Sequence, residues 1–189
     1  MKVYEAILEQ LFGAGVTHFA GMVGSTSAPY ASALASQNQA RYVGIRHEQV
    51  AAAILDATAR LSGKPGVLMV HGGSGLLAAS LGVASAALDS TPMVVLSATQ
   101  ERKAMENGWW QTLDVQKPVG DFVKFQTRVE RPDQAVAAVR DALRESVSGK
   151  PGVAQIDIPI DVSVEDLGEG DMLAPVKAIA PMLRSFPDP

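Results

Sequence analysis

The chain contains no cysteine, which removes disulfides, thiolate metal sites and cysteine nucleophiles from consideration at once. It also lacks any run of like charges. Sixteen basic residues are spread among twenty acidic ones for a net charge of -4, so nucleic acid is not an expected partner. No His/Asp/Glu cluster has metal-ligand spacing, and neither a G-x-S-x-G elbow nor a P-loop is present. Internal repeats and low-complexity tracts are missing as well. The N-terminal "MKVYEAILEQLF" carries acids inside its apolar pattern, which a secretory segment would not tolerate, so a cytoplasmic protein is expected. One charge-free stretch, Pro65 to Leu88, is long enough to span a bilayer. Its proline, its five glycines and the polar "HGGSG" break predict two buried elements joined by a turn instead, and no membrane association.

What is present is a chain of 189 residues, 47% hydrophobic, enough for a substantial core in one domain. Apolar spacing predicts helices over "YEAILEQLFGAG", "APYASALAS", "EQVAAAILDATARLSG", "SGLLAASLGVASAAL" and "DQAVAAVRDALRESVSG". Between them, "THFAGM", "RYVGI", "GVLMVH", "PMVVLSA", "FVKFQTRV" and "GVAQIDIPI" read as strands, with a looser segment over 99–121. Strands without alternation, separated by helices, predict an α/β fold: a mostly parallel central sheet covered on both faces, in three α/β/α layers. The pattern fails after Ser163, so residues 1–163 are expected to form the domain and 164–189 a linker or strap.

Three places carry candidate chemistry. Glu48 opens a nearly uncharged helix and shares a stripe with Ala52, Leu55 and Ala59, opposite Gln49, Asp56 and Arg60. An acid in the first helical turn has a plain dipole explanation. That is the ordinary reading, against which a carboxylate set among small apolar residues is also suited to sharing a proton with a ligand. The turn "HGGSGLLA" follows a strand and opens a helix, offering free backbone N–H groups. Gly73, Gly75 and Ala78 fit the looser dinucleotide fingerprint, but the acid expected after the next strand is missing, since "VVLSATQ" ends in Gln100. His71 stands at the carboxyl end of its strand, where ligands collect in open α/β sheets; His18 and His47 have weaker claims.

"RHEQ" before a small-residue helix, "SGKPGV", "LDSTPMVVLSATQ", "WWQTLDVQKPVGDFVKF" and "GKPGVAQIDIPIDV" occur in the order and spacing of a known domain. The chain resembles the N-terminal, pyrimidine-binding domain of thiamine-diphosphate enzymes of the acetolactate synthase, pyruvate decarboxylase and benzoylformate decarboxylase superfamily, over about residues 2–163. The resemblance implies a thiamine-diphosphate-binding fold. It implies that Glu48 hydrogen-bonds N1′ of the cofactor's aminopyrimidine, favouring the tautomer whose exocyclic nitrogen removes the C2 proton. It further implies cofactor contacts at Gly73, Ser74 and Gly75, a catalytic role for His71, and a substrate pocket formed by Gly24, Ser25, His71 and Gln111. Val23 in place of the loop proline, Thr99 in place of a glycine, and Leu77-Ala78 in place of Thr-Asn depart from the family pattern and leave the substrate open.

The family binds diphosphate and Mg2+ through a second domain carrying G-D-G and a downstream asparagine, and nothing here supplies that motif; "GEGDM" lacks the second glycine. The resemblance therefore implies a partner bearing the diphosphate-binding domain, in a hetero-oligomer such as α2β2, with no metal ligand on this chain. As in sulfopyruvate or phosphonopyruvate decarboxylases with separate subunits, the pair would act on a 2-oxo acid. A fragment of a longer synthase-like polypeptide and a regulatory subunit that keeps the fold are the alternatives.

Overall fold

A computed structural model describes residues 1–114, 116–168 and 170–174 of the chain. Its elements are α1 (Val3–Gly13), β1 (His18–Gly21), α2 (Ala28–Ala35), β2 (Arg41–Gly44), α3 (Glu48–Ser62), β3 (Gly66–His71), α4 (Ser74–Leu88) and β4 (Met93–Thr99). The short helices α5 (Arg102–Glu106) and α6 (Gln116–Val119) follow, then β5 (Phe125–Arg128), α7 (Ala135–Val147), β6 (Val153–Pro159) and α8 (Ile160–Ser163). The strands form one six-stranded sheet in the order β2-β1-β3-β4-β6-β5, and every pairing is parallel.

The strand sequences explain this burial. In β3, Val67 and Met69 pack on one face with α1, α2 and α7, while Leu68 and Val70 pack on the other with α3 and α4. A strand buried on both sides has no polar face to alternate with, so "GVLMVH" reads as a continuous apolar run. The charge-free stretch Pro65 to Leu88 is β3, the glycine turn and α4, and no helix among the described residues is long and apolar enough to cross a membrane. Gly63 ends α3 with a left-handed φ of 70°, the conformation a residue without a side chain adopts at least cost.

The segment read as loose over 99–121 contains α5 and α6, both too short to show a helical period. It is fastened by polar groups where the sheet face turns hydrophilic toward the strand ends. Gln126 Nε2 donates to the Gln116 carbonyl at 2.9 Å and to Gln155 Oε1 at 2.8 Å; Gln155 Nε2 donates to Asp157 Oδ1 at 2.7 Å. Arg128 bridges from Asp114 Oδ1 at 3.3 Å toward Asp157 Oδ2 at 3.8 Å. The described residues after α8 lie back on the domain. Lys2 pairs with Asp166 in an antiparallel bridge, Leu167 is buried in the α1 side of the core, and Gln10 Nε2 donates to the Leu173 carbonyl at 2.9 Å. The remainder of the expected 164–189 tail, residues 169 and 175–189, lies outside the described residues.

Helices α3 and α4 approach closely because Gly82 faces Ala52. A methyl group at Gly82 would sit 2.6 Å from Ala52 Cβ and 3.1 Å from the Gln49 carbonyl oxygen. Gly82→Ala gains about 1 kcal/mol of helix propensity, but overpacking at such a contact costs about 1–3 kcal/mol. A net destabilisation by urea unfolding is expected; a stabilised variant would show that the two helices separate freely.

Asp157 gives a pH-dependent prediction. Burial pushes its carboxyl up from the ordinary 3.8 to about 6, against the opposing hydrogen bond from Gln155 and the charge of Arg128. Because the folded value is raised, the native state holds the proton longer than the unfolded chain does. Ionisation therefore removes stability as pH rises from about 4 through about 6, by about 3 kcal/mol at most. Asp157→Asn lacks this ionisation, so its stability relative to the parent is expected to rise between pH ~4 and pH ~7. Parallel pH dependence of the two unfolding midpoints would refute the assignment.

Candidate functional site

The site lies at the carboxyl ends of β1 and β3, next to each other in the sheet. Met22, Val23, Gly24 and Ser25 after β1, Glu48 at the start of α3, His71 at the end of β3, Ser74 at the start of α4, and Trp110 and Gln111 line one open cavity of about 250 Å3. All the pocket positions read from the sequence converge here: Gly24, Ser25, Glu48, His71, Ser74 and Gln111 on the wall, with Gly73 and Gly75 in the turn that carries Ser74. Val23, which stands in place of the loop proline, lines it too; Met22 and Trp110 also line it without having been singled out, and the only signal for them in the sequence is adjacency to Val23 and Gln111.

Glu48 owes its position to the start of α3. His47 caps the helix, its Nδ1 accepting from the Gln49 N–H at 3.3 Å, so this histidine has a structural task. Ala51, Ala52, Leu55 and Ala59 set the buried face, and Glu48 is drawn in with it to 9% exposure. Among the described residues its carboxylate has no hydrogen-bond or ion-pair partner, and it faces the cavity. Opposite it is Gly75, where a methyl group would lie 3.3 Å from Glu48 Oε1 and 3.7 Å from His71 Cβ. A side chain at position 75 would push between the acid and the histidine.

The other two turn glycines are required by different neighbours. Gly73 has a φ of 76°, and a methyl group there would meet the Gln111 carbonyl oxygen at 2.7 Å; at Gly72 it would meet Thr99 Cγ2 at 2.7 Å. Gln111 itself holds a left-handed φ of 62°, a costly conformation for a residue with a side chain and one that clusters at ligand sites. On the β1 side, a methyl group at Gly24 would lie 2.9 Å from His71 Cβ, so the loop closes directly on the imidazole.

His71 is bonded on both nitrogens: Nδ1 to Thr26 Oγ1 at 2.6 Å, and Nε2 to Gln111 Oε1. Gln111 Nε2 donates on to Ser74 Oγ at 3.0 Å. Thr26 is the buried member of this chain and was not legible in the sequence, because its partners are 45 and 72 residues away. The third histidine, His18, pairs with Thr17 at the far end of β1 and takes no part. Chemically, the pocket offers one unpartnered carboxyl group, one imidazole in a hydrogen-bonded chain, and backbone at a glycine turn. No group of three or more His, Asp or Glu side chains among the described residues is placed to hold a metal ion.

This arrangement fits an aminopyrimidine, a flat ring with nitrogen acceptors and an amino donor: an unpaired acid faces the cavity, and the glycines on either side of Ser74 leave room beside it. It does not fit the anionic end of a diphosphate, for which neither cations nor metal ligands are gathered among the described residues.

Comparison with known proteins agrees. Residues 1–118 match the profile of the family described as "Thiamine pyrophosphate enzyme, N-terminal TPP binding domain". An acetolactate synthase of Arthrospira platensis is 32% identical over 83% of this chain and 28% of its own length. A 2-hydroxyacyl-CoA lyase of Arabidopsis thaliana is 30% identical over 87% of the chain and 29% of its own length. The oxalyl-CoA decarboxylase of Escherichia coli K12 is 30% identical over 72% and 24%. The chain thus spans less than a third of the length of these curated relatives. With its all-parallel sheet, its pocket at the strand ends and these matches, the chain belongs to the thiamine pyrophosphate enzyme family as an N-terminal, pyrimidine-binding domain.

Proposed function

We propose that this chain is the pyrimidine-binding part of a thiamine-diphosphate-dependent lyase or carboligase acting on a 2-oxo acid. Residues 1–163 form the domain, and the segment from 164 begins a strap or linker. The observation that carries the reading is the buried, unpartnered Glu48 carboxyl group across the glycine turn from His71. When bound, the cofactor supplies a nucleophilic carbon for the substrate carbonyl and a sink for the electrons released on bond cleavage. Glu48 holds a proton at the pyrimidine ring nitrogen, where exclusion of water strengthens the shared hydrogen bond. The backbone of Gly73, Ser74 and Gly75 bounds the ring. Ser25, His71 and Gln111 face the substrate, and His71 moves a proton at Nε2.

The diphosphate and Mg2+ are assigned to a second domain, in another chain or another part of the same polypeptide. Docking of that domain is supported by two apolar stripes on the packed pair α3 and α4. Val50, Ala53, Ala57 and Leu61 form one; Leu77, Leu81 and Leu88 form the other, with Leu81 65% and Leu88 77% exposed. On the cavity wall Val23 and Trp110 are exposed too, as is Trp109 beside Trp110 in the chain. A covered interface of this kind accounts for leucines that water would otherwise meet. A split enzyme whose partner completes the site is the arrangement we favour. The breadth of the relatives, from acetolactate synthase to lyases named for CoA thioesters, supports a shared carbonyl chemistry more than one substrate.

The test is Glu48→Gln in the complex with the diphosphate-binding partner. Loss of the ionisable proton is expected to lower turnover and the exchange of the cofactor C2 hydrogen for deuterium by roughly a hundred- to ten-thousand-fold, with assembly retained in gel filtration. C2 exchange at the parental rate would end this reading.

A further inference from the structure

His71 sits in a hydrogen-bonded chain whose polarity is set from its buried end. The Ala98 carbonyl can only accept, and Thr26 Oγ1 lies 2.6 Å from it. The single hydroxyl proton of Thr26 is therefore spent on Ala98. Toward His71 Nδ1, also at 2.6 Å, Thr26 can then only accept. The imidazole must carry a hydrogen on Nδ1; the reverse order would press two acceptor oxygens together at 2.6 Å with no proton between them. Thr26 is 1% exposed, so no water replaces either bond, and the loop at Gly24 closes against the ring and prevents it from turning over.

We propose that Thr26 is a positioning residue that locks the Nδ1 hydrogen of His71 and makes the pocket-facing Nε2 the one atom through which this ring gains or loses a proton. Two hydrogen-bond orders satisfy the rest of the chain. In the cationic ring, Nε2–H donates to Gln111 Oε1, and the Gln111 amide donates to Ser74 Oγ, which frees the Ser74 hydroxyl hydrogen. In the neutral ring, the Gln111 amide is turned so that its NH2 donates to Nε2 and its oxygen accepts from Ser74. Thr26 is indifferent to the exchange, since it accepts from Nδ1–H in both. The protonation state of His71 is thereby relayed to the direction of the Ser74 hydroxyl at the cavity wall, through the one left-handed side-chain residue in the pocket, Gln111. This holds for the protein's own groups whether or not the cofactor reading is correct.

The tautomer is directly visible by nitrogen-15 NMR on the histidine-labelled chain at alkaline pH, where imidazole is neutral. Long-range correlations distinguish a ring protonated at Nδ1 from one protonated at Nε2. The His71 signals are identified by their loss in His71→Gln, and His18 and His47 serve as internal controls of folding. The parent is expected to show the Nδ1–H pattern and Thr26→Ser to keep it. In Thr26→Val the Ala98 carbonyl retains its bond from the Gly72 N–H, so only the Nδ1–H loses its acceptor, and His71 is expected to shift to the Nε2–H form. An Nε2–H pattern in the parent overturns the proposal, as does a Thr26→Val spectrum identical to the parent's. If Thr26→Val fails to fold, the parent spectrum and Thr26→Ser still decide the outcome.

Discussion

The site depends on one turn in which every residue but Ser74 is glycine. Between β3 and α4 three glycines each meet a different part of the molecule: Gly72 the end of β4, Gly73 the backbone of Gln111, and Gly75 the carboxylate of Glu48. A methyl group at Gly72 or Gly73 would collide with neighbouring atoms, and at Gly75 it would crowd the acid. Because Ser74 is the turn's only side chain, three segments distant in sequence close around the same volume, and α3 can bring an acid to the mouth of a parallel sheet. The pairing of α3 with α4 at Gly82 extends the same device along the helices, since close approach of their axes keeps Glu48 in line with the turn.

Close packing also explains why the acid is unusual. A helix-start glutamate ordinarily faces water, where the dipole and solvent both stabilise it. Here the apolar residues that follow it, Ala51, Ala52 and Leu55, are what let the helix sink, and Glu48 sinks with them. Apolar burial of the helix thus holds a carboxylate against the cavity wall rather than out in bulk water. A dipole alone does not require an acid aimed into a cavity, whereas the proposed ligand, sharing the acid's proton, does.

The parts of this architecture that sequence revealed are those whose cause is local. "GVLMVH" and "SGLLAASLGVASAAL" are the observed β3 and α4 residue for residue, because burial on both faces and the glycine punctuation leave a one-dimensional trace. Glu48 was legible for the same reason: its stripe is a property of its own helix. Strand order left no such trace, as β6 inserts between β4 and β5 through contacts far apart in the chain. Thr26 and Asp157 belong to that second class. A threonine after Ser25 and an aspartate in "IDIPIDV" look like any others until the fold brings His71 and Arg128 beside them. The helices α5 and α6 were hidden differently: four or five residues complete barely one turn, too little for a period to register.

The two polar systems flanking the pocket divide its work. Toward β1 and β3, the chain from Ala98 through Thr26, His71 and Gln111 to Ser74 runs from buried carbonyl to cavity wall, and every polar atom in it has a partner. Toward β5 and β6, Asp157 and Arg128 retain buried atoms without partners, beneath the segment that carries Gln111. A fully satisfied network is stiff, while an incompletely satisfied one tolerates rearrangement of what covers it. Gln111 joins the two, anchored through Asp114 on one side and bonded to His71 on the other, in a backbone conformation that stores strain. Under the proposed function, a second domain that completes the site by displacing Gln111 would reset the hydrogen bonds of His71 and Ser74 together, because Gln111 holds both.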